Sequence, residues 1–228
     1  MLIGSAVLMS LHAPSARADA ADPTAEDHRP PETIVIGLDL SQSNPLVASQ
    51  DYASSVAGYI GDEVADLPLA SKVMIRTFGT YSGAENGLRI DRDVSSEPEE
   101  KPAAVADLVR SIIGNVPTLV HEGRLDVQDR TNIIAFLDNV SQLVDCRDRD
   151  TTIILVSDGI EDSEYARLIE PGSSLPSTDA IFRDCGTLEI IGLGQGSKSP
   201  SLTEHLRSEW DRWAKEAGFR EFSGLNSW

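Results

Sequence analysis

The sequence predicts an α/β sandwich built on a mostly parallel sheet, and three observations carry that expectation. Short apolar, β-rich runs stand at residues 33–38, 151–156 and 188–193. Segments with helical apolar spacing lie between and after them, and two of the runs end on an aspartate in a polar loop. A continuous apolar run of this length suits a strand buried on both faces. Strands alternating with helices mark the α/β class.

Residues 2–11 form an apolar run only about half as long as a membrane span needs. Ala16-Arg17-Ala18 or Ala18-Asp19-Ala20 then offers a small-x-small cleavage site. A signal peptide over residues 1–20 is therefore expected, although no Lys or Arg precedes the apolar run. No cysteine stands where a lipid anchor would attach, so the expected product is exported, periplasmic or extracellular, without a stable membrane anchor. Residues 21–32 carry Pro23, Pro30 and Pro31 among charged residues and read as a flexible lead-in. One domain is expected over residues 33–223, with a tail at 224–228.

Within that domain Pro45 suits a first helical turn, where its missing N–H is not needed. Val47, Tyr52, Val56, Tyr59, Ile60 and Val64 predict a helix over about residues 46–64. Residues 72–78 are short, β-rich and bounded by turns, which reads as a strand. Residues 88–94 alternate cleanly and predict an edge strand with one wet face. Val105, Leu108, Val109, Ile112 and Ile113 form one helical stripe over 103–116, whereas 120–128 shows no clear period. Ile133, Ile134, Leu137, Val140, Leu143 and Val144 predict an amphipathic helix with Thr131 at its N-terminus. Ser201 with Glu204 matches a capping box, and Leu202, Leu206, Trp210, Trp213 and Ala217 continue as a helix that stops at Gly218. The tryptophans in it read as core packing.

The chain has 228 residues, a size that one core accommodates. Its 37 acidic against 19 basic residues give a net charge of -18. Such a surface repels phosphate backbones and anionic lipid, so nucleic acid and membranes are poor partners, while cations and basic protein surfaces fit better. Acidity also serves solubility alone. Cys146 and Cys185 are the two cysteines, each the other's candidate partner in an oxidising compartment.

The chemistry gathers at element ends. Asp39, Ser41 and Ser43 follow the first strand, Thr131 opens a helix, and Asp158 follows the 151–156 strand. Each alone fits a turn or helix cap. Together they would face one side of a parallel sheet, where α/β folds bind ligands. The set is hard oxygen only, with neither Cys nor paired His, which favours Mg²⁺, or Mn²⁺ or Ca²⁺, over zinc or copper.

With these residues in hand, the sequence resembles the von Willebrand factor A domains over roughly residues 33–218. Asp39-Leu40-Ser41-Gln42-Ser43 matches that family's D-x-S-x-S, Thr131-Asn132-Ile133 resembles its threonine motif, and residues 154–159, ILVSDG, resemble its last strand and aspartate. The resemblance implies a Rossmann-like three-layer sandwich, with helices on both faces and one antiparallel edge strand. It also implies a metal-ion-dependent adhesion site. There Ser41, Ser43 and Thr131 would coordinate the ion directly, and Asp39 and Asp158 would hold its waters. Two features depart from the pattern: Asp129-Arg130 precedes Thr131 where the family often has glycines, and the stretch from Ser43 to Thr131 is long. Arg130, if it points into the site, would compete with the cation or answer an acidic ligand. On this fold both cysteines precede adjacent strands, at the end opposite the metal, and a structural disulfide is expected.

The leading expectation is an exported, non-catalytic module that uses a divalent cation to grip an Asp or Glu of a protein partner. A metal-dependent hydrolase or phosphoesterase is the rival. Against it, Asp39-Leu40-Ser41 lacks a phosphatase motif's second carboxylate, and no G-x-S-x-G or placed histidine supports a serine enzyme. Residues 192–196, GLGQG, lack a Walker lysine and read as a turn. A structural domain of the same type with a non-functional metal site is the third reading.

Overall fold

The computed structural model describes residues 29–80, 87–197 and 199–228. The expected signal peptide and most of the lead-in lie outside the described residues.

Among the described residues six strands form one sheet: β1 (Glu32–Asp39), β2 (Lys72–Phe78), β3 (Arg89–Asp93), β4 (Asp150–Val156), β5 (Thr187–Ile191) and β6 (Glu221–Leu225). Their order is β3-β2-β1-β4-β5-β6. All pairings are parallel except β2 with β3, which makes the alternating 88–94 segment an antiparallel edge as expected. β1 is buried because its alternate side chains serve two cores. Ile34, Ile36 and Leu38 pack under α1 (Gln50–Ala65) and α2 (Pro102–Gly114). Val35 faces the other way, toward α4 (Ile133–Ser141) and α5 (Pro200–Ala217). Helices thus cover both faces of a Rossmann-like three-layer sandwich. Among the described residues no helix is long and apolar enough to cross a membrane.

The boundaries differ from the sequence expectation where local capping overrides periodicity. The expected 46–64 helix divides into a 3₁₀ turn at Pro45–Val47, capped by the Asn44 side chain, and α1, whose N-cap Ser49 accepts from Tyr52 N at 3.2 Å. α4 starts at Ile133, because Asn132 caps it through a 2.9 Å bond from Ala135 N, so Thr131 precedes the cap. The α5 cap is Ser199 ahead of Pro200, and not the Ser201–Glu204 box; Pro200 fits because the first helical residue needs no N–H donor. α3 (Val116–His121) is one turn or so that spans the end of the expected 103–116 helix and the first residues of the 120–128 stretch without a period. β6 went unread, since Glu221–Leu225 is short and half polar, and the expected tail begins inside it. Gly218 does end α5, in the left-handed conformation at φ 100° that a C-terminal cap demands. Trp210 and Trp213 are core residues.

Cys146 and Cys185 form a disulfide with Cα atoms 4.8 Å apart. They lie just before β4 and β5, at the amino ends of the strands. The carboxyl ends carry the aspartates.

Candidate metal centre

The sheet order reverses between β1 and β4: the chain leaves β1 toward β2 on one side and β4 toward β5 on the other. Loops after such a pair diverge and open a crevice, the usual ligand position in this architecture. Asp39 ends β1, and Asp158 follows β4 by two residues. Parallel register sets Leu38 beside Val156, so the two carboxylates arrive at the same level.

Both are buried, Asp39 at 0% and Asp158 at 1% exposure. Asp39 accepts hydrogen bonds from Ser41 N at 2.8 Å and Ser157 Oγ at 2.7 Å. Asp158 accepts from Ser43 Oγ at 2.8 Å and Ile160 N at 2.9 Å. The Ser41 and Ser43 hydroxyls lie 3.4 Å apart and close a chain from one loop to the other. Neither carboxylate forms an ion pair with a described residue.

Two acids buried together without a cation resist ionising. Burial pushes the Asp39 carboxyl up to about 7, and the charge of Asp158 adds to this; the bonds from Ser157 and Ser41 pull weakly the other way. Burial raises Asp158 as well, against the bonds from Ile160 and Ser43. Tyr52 packs beneath them and is pushed up by burial first and by the two aspartates second. Gly192, at φ 102°, leaves the room this tyrosine needs, since a Cβ there would collide with its hydroxyl.

Thr131 comes from far along the chain, yet three backbone bonds seat it. Gln128 N donates to Leu40 O and Gln42 N to Gln128 O, both at 2.9 Å, which docks the segment before Thr131 on the serine loop. Asp162 N donates to Thr131 O at 2.9 Å from the loop after β4. Thr131 therefore lines one depression of about 350 Å³ with Ser41 and Ser43. Its hydroxyl makes no hydrogen bond with a described residue. All five residues expected in the site are thus brought together at one sheet end, four in a continuous hydrogen-bonded set and Thr131 beside it.

Sequence reasoning missed three supports. Asn44 donates through Nδ2 to Asp39 O at 2.8 Å and Val156 O at 2.9 Å, tying the ends of β1 and β4 together. Ser157, one residue before Asp158, orients Asp39. Glu161, fully buried, accepts from Ile133 N at 2.8 Å, Ile134 N at 3.2 Å and the Ser163 hydroxyl. It clamps the α4 N-terminus, and hence Thr131, to the loop that carries Asp158. Burial raises its carboxyl to about 7 in spite of those bonds. Position after a strand was the only signal any of them gave.

The donor set fits a hard divalent cation. Ser41, Ser43 and Thr131, from two loops, line one depression, and the two carboxylates behind them pair with no cationic side chain among the described residues. Both Asp39 oxygens are already engaged by Ser41 and Ser157, which suits an indirect role through hydroxyls or waters. His205 is held elsewhere, its Nε2 2.9 Å from Ser173 O.

Neither a protein-family model nor a curated protein matches the chain. Among solved structures, the open conformation of the pilus adhesin SpaC from Lactobacillus rhamnosus GG superposes with a TM-score of 0.47 at 14% identity, over 89% of this chain and 28% of the adhesin. A second form of that adhesin gives 0.47 at 13% identity, over 89% and 29%. The human COPII-coat protein Sec24c gives 0.40 at 10% identity, over 87% of this chain and 30% of Sec24c. The chain thus spans less than a third of the length of each of these neighbours.

Proposed function

We propose that this chain is a von Willebrand factor A-type module that holds a divalent cation, Mg²⁺ or its Mn²⁺ or Ca²⁺ substitute, and uses it to grip an acidic residue of a protein partner. The observation that supports this reading most is the pair of buried aspartates, Asp39 and Asp158, joined through Ser41 and Ser43 and paired with no basic side chain among the described residues. Ser41, Ser43 and Thr131 are the direct ligands in this reading, and the aspartates act through waters. A cation ligated chiefly by neutral hydroxyls keeps its electrophilicity, so a partner's carboxylate is an apt further ligand. In this reading the role is binding, with the hydroxyls of Ser41, Ser43 and Thr131 serving as metal ligands. Export fits the Cys146–Cys185 disulfide, because such bonds persist in oxidising compartments.

Thermal unfolding in chelator and then in millimolar Mg²⁺ tests the cation. A ligand that binds only the folded state raises Tm once it exceeds its Kd, by about 2.7 kcal/mol of stability at a hundredfold excess. Wild type is expected to gain several degrees, and Ser41→Ala and Asp158→Ala to gain none. An equal gain in both variants would place the cation elsewhere.

A further inference from the structure

Arg130 is the feature of this site that the cation alone does not use. It stands between Asp129 and Thr131, is exposed, and lines the same depression as Ser41, Ser43 and Thr131. It also lines a second depression of about 450 Å³, bordered by Thr80, Asn132 and Glu164. In a chain with a net charge of -18, a cation at this point should be drawn to a carboxylate. Yet Arg130 forms no hydrogen bond or ion pair with any described residue. The nearby acid that borders both depressions, Asp162, is paired with Arg167 at 3.0 Å.

A guanidinium beside a divalent cation works against metal loading, since like charges repel. It works in favour of an anion that touches both. Arg presents a planar fork matched to a carboxylate, and Lys does not. Ile160 and the 59% exposed Ile169 add apolar surface to the lining of the same depression. Monocarboxylate binding at the metal would leave Arg130 unanswered.

We infer that the partner segment carries two acidic side chains, one for the cation and a second for Arg130, beside an apolar side chain that covers Ile169. This rests on the cation reading above and makes it specific: the ligand is a diacidic stretch of protein, not a lone Asp or Glu. Arg130 acts as the selector.

The test uses Mn²⁺ as a paramagnetic probe. Water-proton relaxation reports Mn²⁺ bound to the protein, and its decrease reports ligands that displace coordinated water. Succinate, glutarate and adipate sample different spacings of two carboxylates, and butyrate supplies one. In wild type the best dicarboxylate is expected to bind roughly fivefold tighter than butyrate, the upper end for an exposed charge pair. In Arg130→Gln the preference falls to the statistical factor for two equivalent carboxylates, while Mn²⁺ itself binds tighter. Arg130→Lys restores the charge without the fork and recovers only part of the preference. Opposite effects on metal and ligand cannot arise from misfolding. Mn²⁺ binding with a dicarboxylate preference that is absent in wild type, or unchanged in Arg130→Gln, overturns this inference and leaves the cation site standing. No Mn²⁺ binding by wild type overturns the cation reading and this inference with it.

Discussion

In chelator at about pH 7.5, Asp39→Asn is expected to be more stable than wild type by on the order of 4 kcal/mol. Asp39 has its carboxyl raised from 3.8 to about 7 by burial and by Asp158. Between those values the folded chain holds a proton that the unfolded chain has released. Stability is then greatest below the unfolded value and falls as pH rises through the folded one. Glu161, raised from 4.5 to about 7 by burial, adds the same sign. Wild type without metal should therefore lose several kcal/mol of unfolding free energy between about pH 4 and pH 7.5, and urea denaturation across that range measures it. Asparagine at position 39 keeps an acceptor for Ser41 N and removes the titrating charge, so the variant's profile is flatter. Divalent cation separates the two proteins: it favours ionised Asp39, lifts wild type at neutral pH, and leaves the variant unmoved. A variant less stable than wild type at neutral pH in chelator would mean that Asp39 is compensated in a way this account omits.

Reduction of Cys146–Cys185 is expected to cost on the order of 4 kcal/mol, because the bond closes a loop with a sequence separation of 39. The bridge pins the amino ends of β4 and β5, while the candidate metal centre lies at their carboxyl ends. Reduction should thus lower the urea midpoint and leave Mg²⁺-dependent stabilisation intact in the fraction that remains folded. Paired unfolding curves with and without reductant, each with and without Mg²⁺, separate the two effects. A loss of the metal response in the folded reduced protein would show that the two ends of the sheet are coupled.

Much of this architecture was legible in the chain because burial writes directly into sequence. The runs at 33–38 and 151–156 are apolar beyond their opening threonines, since strands between two helix layers have no wet face. The 88–94 segment alternates because it is an edge. β6 escaped for the complementary reason: Glu221, Phe222 and Ser223 sit on the opposite, half-exposed edge, where pairing with β5 and not apolar content makes the strand. Helix starts were misplaced at Ser201 and Thr131 because Ser199 and Asn132, with short side chains that reach back to the helix N–H groups, competed for the same role. Asp39, Ser41, Ser43, Thr131 and Asp158 were singled out by motif as candidates and lie together at one sheet end. Asn44 and Glu161 were not, because what they do depends on contacts across 112 and 28 residues of chain. No local pattern records such contacts.

The central claim is that a divalent cation sits among Ser41, Ser43 and Thr131, and anomalous diffraction from a crystal soaked in Mn²⁺ tests it most directly. The account predicts a manganese peak in the depression between the β1 and β4 loops, about 2.1 Å from the serine and threonine hydroxyl oxygens. It further predicts that the peak is absent in Asp158→Ala. A map without manganese there, or with manganese only on exposed carboxylates elsewhere on this acidic surface, would contradict it.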